Sequence, residues 1–240
     1  MRGKKSAGEL RAQFNEDVDR FSDLRTAQRS VIDAPLMLRL LAAGAVRLSG
    51  RIGRVLDVGC GAGNNALMLL QTAGRRDIEV DLLDLAPKML ERARERVSAA
   101  TAGAIRTLEG DVREVELEAG RYDVVTAAAV LHHLREEAEW RAVFAKLFRS
   151  LRPGGTLWIS DLVLDTTPEI SSESRAAYGA FLDRTGGEAY RREILEAIDA
   201  CDTPRPLLWQ LRLLEASGFV DIELLHKHAC FAAFGARKPL

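Results

Sequence analysis

His132 and His133 stand side by side just after a nearly apolar stretch, Tyr122 to Ala127. Imidazole titrates near neutral pH, so either ring is a candidate catalytic base for taking a proton from an acceptor. Upstream, Gly59, Gly61 and Gly63 form a G-x-G-x-G run with Cys60 inside it. Lacking a Cβ, glycines allow positive φ and let a ligand approach the backbone closely. A helix opening at Asn64 would turn its free N–H groups and positive dipole end toward the same place. Asp84 ends the next apolar run, where a carboxylate can accept bidentate hydrogen bonds from a vicinal diol, as on a ribose. A dinucleotide fingerprint needs G-x-G-x-x-G, and position 64 is Asn, which disfavours a pyrophosphate. His226 and His228 fall on one face of an expected edge strand. Metal ligation needs a third ligand that the sequence does not identify, so these two read as surface residues and no metal is expected.

The elements that must position these residues are legible from hydrophobic period. Strands are expected at Val55 to Val58, Glu79 to Leu83, Ile105 to Leu108, Tyr122 to Ala127 and Thr156 to Ser160, alternating with helices from Asn64, from Ala86 to Ala100 and from Trp140 to Leu151. Pro87 suits a helix start, and Pro153-Gly154-Gly155 a helix stop. Such alternation predicts an α/β fold, a doubly wound, mainly parallel sheet of seven strands. The last two strands, Val220 to Leu225 and Ala229 to Ala236, have no helix between them and predict a C-terminal antiparallel hairpin. At the start, Leu10, Phe14, Val18 and Phe21 predict one helix over 6–20, and Asp33 an N-cap for a helix running to about Leu48. These N-terminal helices either cover a sheet edge or form a lid, with Phe21, Gln28 or Arg29 reaching inward. The division expected is a helical cap over 1–50, a cofactor-binding core over 51–164, a helical insertion over 165–217 as substrate cover, and strands over 218–240 completing the sheet.

The 240 residues suffice for one α/β domain with a small appendage. A net charge of −1 supplies no field for nucleic acid or an anionic membrane, so the expected partner is a small-molecule substrate, with nucleic acid disfavoured. No apolar run approaches the roughly 20 residues a membrane span requires. Three scattered cysteines, with no C-x-x-C, indicate neither a zinc site nor a disulfide framework and fit a reducing cytoplasm. Oligomeric state is left open.

The string Leu56-Asp-Val-Gly-Cys-Gly-Ala-Gly63 closely resembles motif I of the class I S-adenosylmethionine-dependent methyltransferases, a Rossmann-like family. The resemblance implies S-adenosyl-L-methionine as cofactor. Asp57, Gly59, Cys60, Gly61 and Gly63 would lie at its methionine part, Asp84 at the ribose, Met89 near the adenine, and Gly110, Asp111 and Val112 at the adenine ring, with Leu85 also a cofactor contact. Ala127 and Ala128 would let the strand-four exit pass close to the cofactor; the family often carries Asn or Ser where this chain has Ala128. Methyl transfer from a sulfonium needs alignment and a dry pocket more than an acid or metal. Substrate determinants are therefore expected in the N-terminal helices and the insertion, with Phe21, Arg29, Tyr178, Phe181, Tyr190, Arg191, Arg192 and Trp209 as candidates.

A narrower similarity, over Tyr190-Arg-Arg-Glu-Ile-Leu-Glu, Ala216-Ser-Gly-Phe and Cys230-Phe-Ala-Ala-Phe-Gly-Ala, is to the branch containing carboxy-S-adenosylmethionine synthase, which acts in tRNA wobble-uridine modification. There Arg192 would pair with the extra carboxylate. The His-His pair departs from that enzyme, so the leading expectation is a methyltransferase acting on a small molecule. Carboxy-S-adenosylmethionine chemistry is second, and a non-catalytic binder of the cofactor third.

Overall fold

The computed structural model describes residues 4–23 and 29–240. Gln28 lies outside them. Two short helices, α1 (Ala7–Glu16) and α2 (Val18–Ser22), precede α3 (Ala34–Leu48), β1 (Arg54–Val58), α4 (Asn64–Ala73), β2 (Glu79–Asp84), α5 (Pro87–Ala100), β3 (Ile105–Glu109) and β4 (Tyr122–Ala128). A 3₁₀ turn at Leu131–His133 leads to α6 (Glu137–Ser150), β5 (Leu151–Leu162), α7 (Pro168–Cys201), α8 (Leu207–Ala216), β6 (Val220–His228) and β7 (Phe231–Arg237). The seven strands lie in the order β3-β2-β1-β4-β5-β7-β6. The first five pair in parallel, and β7 runs antiparallel to both β5 and β6. β1 is central, so its carboxyl end and that of β4 meet where the order reverses, the place where open α/β sheets bind ligands.

Two cores sandwich the sheet. Met37, Leu41 and Ala45 of α3, Leu69 and Leu70 of α4, and Leu90, Ala93 and Val97 of α5 pack with Trp158 and Tyr178. Trp140, Phe144 and Leu147 of α6 join Leu213 and Leu214 of α8 in the other. Helix α3, grouped with the cap in the sequence reading, is thus part of the core under the sheet. No helix among the described residues is long and apolar enough to cross a membrane.

Three local expectations are corrected, and one kink is added. The helix expected over 6–20 breaks at Asp17, whose N–H bonds the carbonyl of Phe14 and closes α1. The amino end of α1 carries a capping box, with Ser6 N–H donating to Glu9 at 2.8 Å and Ser6 Oγ accepting from Glu9 N–H at 3.3 Å. Asp33 does not cap α3 with its side chain; its backbone is left-handed, φ 55°, and its carboxylate turns to His226 and His228. Strand β5 begins at Leu151, before the Pro153-Gly154-Gly155 stop, because Leu151 already pairs with Tyr122 of β4. The insertion helix α7 is broken at Gly187, φ 81° and ψ 179°, a conformation open to glycine.

Candidate functional site

The loop after β1 is set by what a side chain would meet there. At Gly59, φ 62°, a Cβ would come within 2.5 Å of Val130. At Gly61, φ 48°, a Cβ would meet nothing within 4 Å, because it would project into the cavity that the loop borders. Gly63, φ 84°, is different: a Cβ there would lie 3.2 Å from Val97 and 3.3 Å from Ala93, so this glycine lets α4 pack on α5.

That cavity, of about 920 Å³, opens at the carboxyl ends of the central strands. Gly59, Cys60 and Gly61 line it together with Asp84, Leu85, Met89, Gly110, Asp111, Val112 and Ala128, and His132 and His133 form part of its wall. Gly63 and Ala127 do not reach it. Ala127 is wholly buried in the core beneath β4. Asp57 is also corrected. It has no exposed surface, and its carboxylate accepts from Thr126 Oγ1 at 2.7 Å and Ala66 N–H at 3.2 Å. Asp57 therefore staples the first turn of α4 to β4 from behind the loop. Burial pushes its pKa up to about 7, against the hydrogen bonds from Thr126 and Ala66.

Asp84 receives Gly61 N–H on Oδ2 at 2.8 Å and Ala86 N–H on Oδ1 at 2.9 Å. Burial raises its pKa despite these two donors. Each oxygen keeps a second lone pair for a ligand hydroxyl. Asp111 is held by Arg113, whose Nη2 donates to Oδ2 at 2.6 Å and Nε to Oδ1 at 2.9 Å. Burial would raise the Asp111 pKa, but Arg113 outweighs it and keeps the carboxyl below its ordinary value. Asn65 lines the same cavity with its Oδ1 buried and without a partner among the described residues. An orphaned acceptor costs free energy unless a ligand donor satisfies it. The glycine cradle and the diol-competent Asp84 fit an adenosyl ligand.

The far wall holds a four-residue cluster. His132 Nδ1–H donates to Asp161 Oδ1, and Asp161 Oδ2 also accepts from Leu131 N–H at 2.8 Å. Asp202 Oδ1 lies 3.2 Å from His133 Nδ1 and 3.6 Å from His132 Nε2. Burial disfavours the His132 cation, but the Asp161 and Asp202 charges prevail and raise its pKa to about 9. Burial and the neighbouring His132 charge lower that of His133, against the pull of Asp202. Asp202 itself is held low: burial works the other way, but His132 and His133 outweigh it. Two adjacent rings are driven to opposite states, a pattern that separates acid from base. The two candidate bases therefore stand in different electrostatic surroundings. At neutral pH His132 is a cation, while neutral His133, its Nδ1–H directed at Asp202, keeps an Nε2 lone pair with no hydrogen-bond partner among the described residues.

Helices α1 and α2 form another wall, through Leu10, Phe14 and Phe21. Phe14 packs edge-on to Phe21 at 6.0 Å and lies 5.9 Å from the His133 ring. Tyr178, buried on α7, donates from its hydroxyl to Ser30 O at 2.8 Å and lines the cavity. Arg29 is exposed, donates to the Thr185 carbonyl and stacks over Tyr190 at 5.2 Å, so it ties the entry of α3 to α7 without lining the cavity. Arg192 is corrected as well. The inward face of α7 carries Glu193, Ile194, Ala197 and Ile198, whereas Arg192 is exposed on a separate shallow hollow with Arg175 and Glu188. Helical phase turns it away. Asp161, Asp202 and Asn65 escaped the sequence reading. Only Asn65, adjoining the glycine loop, carried a local signal.

Residues 55–155 match the methyltransferase domain family. The chain is 31% identical over 182 residues to the demethylmenaquinone methyltransferase of Thermus thermophilus, covering 72% of this chain and 77% of that one. It is 27% identical over 243 residues to the carboxy-S-adenosyl-L-methionine synthase of Wolinella succinogenes, covering 99% of both. Against several other curated relatives it spans little more than half their length, 58% of one and 53% of another. Human N-acetylserotonin methyltransferase in complex with SAM shares the fold, with a TM-score of 0.62 at 18% identity over 98% of this chain and 57% of that one.

Proposed function

Because the chain belongs to the class I S-adenosylmethionine-dependent methyltransferases, we propose that it moves a methyl group from S-adenosylmethionine to a small-molecule acceptor bound beside His133. One observation carries this reading: the glycine loop, Asp84 and neutral His133 all border a single cavity. When bound, the cofactor would supply a sulfonium-activated methyl group, the S–CH₃ bond breaking as the bond to the acceptor forms and the thioether leaving with the electron pair. Gly59 to Gly61 accommodate the methionine end, Asp84 accepts from the ribose hydroxyls, and Asp111, Val112 and Met89 bracket the adenine. His133 Nε2 takes the acceptor's proton, while Asp202 holds the ring through Nδ1 and stabilises the imidazolium that forms. His132 remains charged and fixed by Asp161. Phe14 and Phe21 on one side and α7 on the other exclude water and cover the acceptor. Three free thiols suit the cytoplasm. Incubation with label in the transferable methyl group and cell extract tests the reading. Label should move to a small molecule with the unchanged chain and fall about 100-fold with His133→Gln. Cofactor binding without transfer would favour a non-catalytic binder.

The full-length similarity to the Wolinella enzyme supports a second reading, carboxy-S-adenosylmethionine chemistry linked to tRNA modification. Arg192 lies on a hollow apart from the cavity, so the similarity and not that guanidinium supports this reading. Mass spectrometry of the cofactor retained on purification separates the two readings, because the carboxylated form is heavier.

A further inference from the structure

The edge strand β6 places His226 and His228 two residues apart, and the fold brings Asp33 to both. His226 Nε2 lies 3.0 Å and His228 Nδ1 2.8 Å from the same oxygen, Asp33 Oδ2. The three ligand atoms lie within 4.8 Å of one another. This supplies the third ligand that the sequence alone did not identify. Asp33 reaches it from a left-handed backbone, φ 55°, at the entry to α3. Aspartate is one of the few non-glycine residue types that adopt this region readily.

We propose that Asp33, His226 and His228 form a zinc site that clips the entry of α3 to the sheet edge. Two imidazoles and a carboxylate are donor types that the borderline Zn²⁺ ion takes, with ligand bonds of about 2.0–2.2 Å. Ligand atoms around a tetrahedral ion of that size are spaced a few tenths of an ångström wider than the two contacts to Asp33. Small rotations of the rings would therefore admit the ion. The side chains are partly exposed, 37% for Asp33, 21% for His226 and 56% for His228, so a water can take the fourth position. The ion would replace two hydrogen bonds by three metal bonds between segments nearly 200 residues apart in sequence. The clip adjoins Ser30, Val31 and Ala34, which line the cofactor cavity. It is independent of the proposed methyl transfer.

The chelator-stripped 240-residue chain titrated with ZnCl₂ by calorimetry, and with CoCl₂ by visible absorption, tests the site. The expected result is one saturable ion per chain, histidine-type cobalt bands and a raised melting temperature. His226→Gln/His228→Gln, checked for fold by circular dichroism, should weaken binding more than about 10-fold and abolish the melting shift. Asp33→Asn should weaken binding in the same direction. If the double variant keeps one ion at unchanged affinity, the ion sits elsewhere, for example at His132, His133 and Asp202, and the proposal fails. Absence of saturable binding to the unchanged chain would overturn it equally.

Discussion

Replacing Asp161 by Asn removes the first of the two charges that hold His132 protonated. The shift to be lost is sizeable: His132 stands at about 9 against an ordinary 6.5. That difference of about 2.5 units corresponds to roughly 3 kcal/mol favouring the imidazolium, at 1.36 kcal/mol per unit. The ring is buried, so little of this is screened by solvent. Asp202 remains in the variant, 3.6 Å from Nε2, so the expected fall is about 1–2 units. Stability follows the same sign. A His pKa raised by folding stabilises the native state fully below pH 6.5, and the gain is lost as pH rises through about 9. Asp161→Asn should flatten that loss. The direct assay is proton NMR of the imidazole resonances during a pH titration. With four histidines in the chain, single His→Gln variants suffice for assignment. One buried ring should titrate near 9 in the unchanged protein and move down in the variant, while His133 titrates below its ordinary value. If His132 titrates at or below 6.5, or if Asp161→Asn leaves it unmoved, the opposed states of the pair are wrong and His133 loses its distinction as the base.

Gly61→Val places a branched side chain where a Cβ now meets open cavity, at a φ that costs a side chain about 1–2 kcal/mol. Titration with S-adenosylhomocysteine should lose its heat while circular dichroism keeps the folded spectrum; unchanged affinity would contradict the cradle. Asp57→Asn keeps an acceptor for Thr126 and removes the ionisation. Folding raises this carboxyl from 3.8 to about 7, so its stabilisation is present below pH 3.8 and lost as pH rises through about 7. Urea unfolding should show the variant gaining up to about 4 kcal/mol on the unchanged chain between about pH 4 and about pH 8. Parallel pH profiles would refute the buried-staple account.

The cofactor half was readable because its signals are local. Gly59 to Gly61, Asp84 and Gly110-Asp111 each sit at the end of a strand-like run, and strand ends converge in a parallel sheet whatever the details of packing. The same locality misled at Asp57, where strand alternation turns the carboxylate behind the loop, and at Arg192, where a phase shift of one or two residues decides which side of α7 a guanidinium faces. Asp161 reads in the sequence as an ordinary strand acid and Asp202 as the residue after a helix. Their role exists only because β5 and the end of α7 close on His132 and His133. Asp33 looked like an N-cap because Asp before Ala-Pro suits one. Nothing local shows that two histidines 193 and 195 residues away compete for its carboxylate.

The central claim is that the bend after β1 and the carboxylate of Asp84 seat an adenosyl sulfur compound. Calorimetric titration of the unchanged chain with S-adenosylhomocysteine tests it most directly. The account predicts one saturable site per chain, weakened about 10-fold or more by Asp84→Asn, as expected when a charge-assisted pair of hydrogen bonds is lost. No saturable heat at millimolar ligand, or equal affinity in Asp84→Asn, would contradict it.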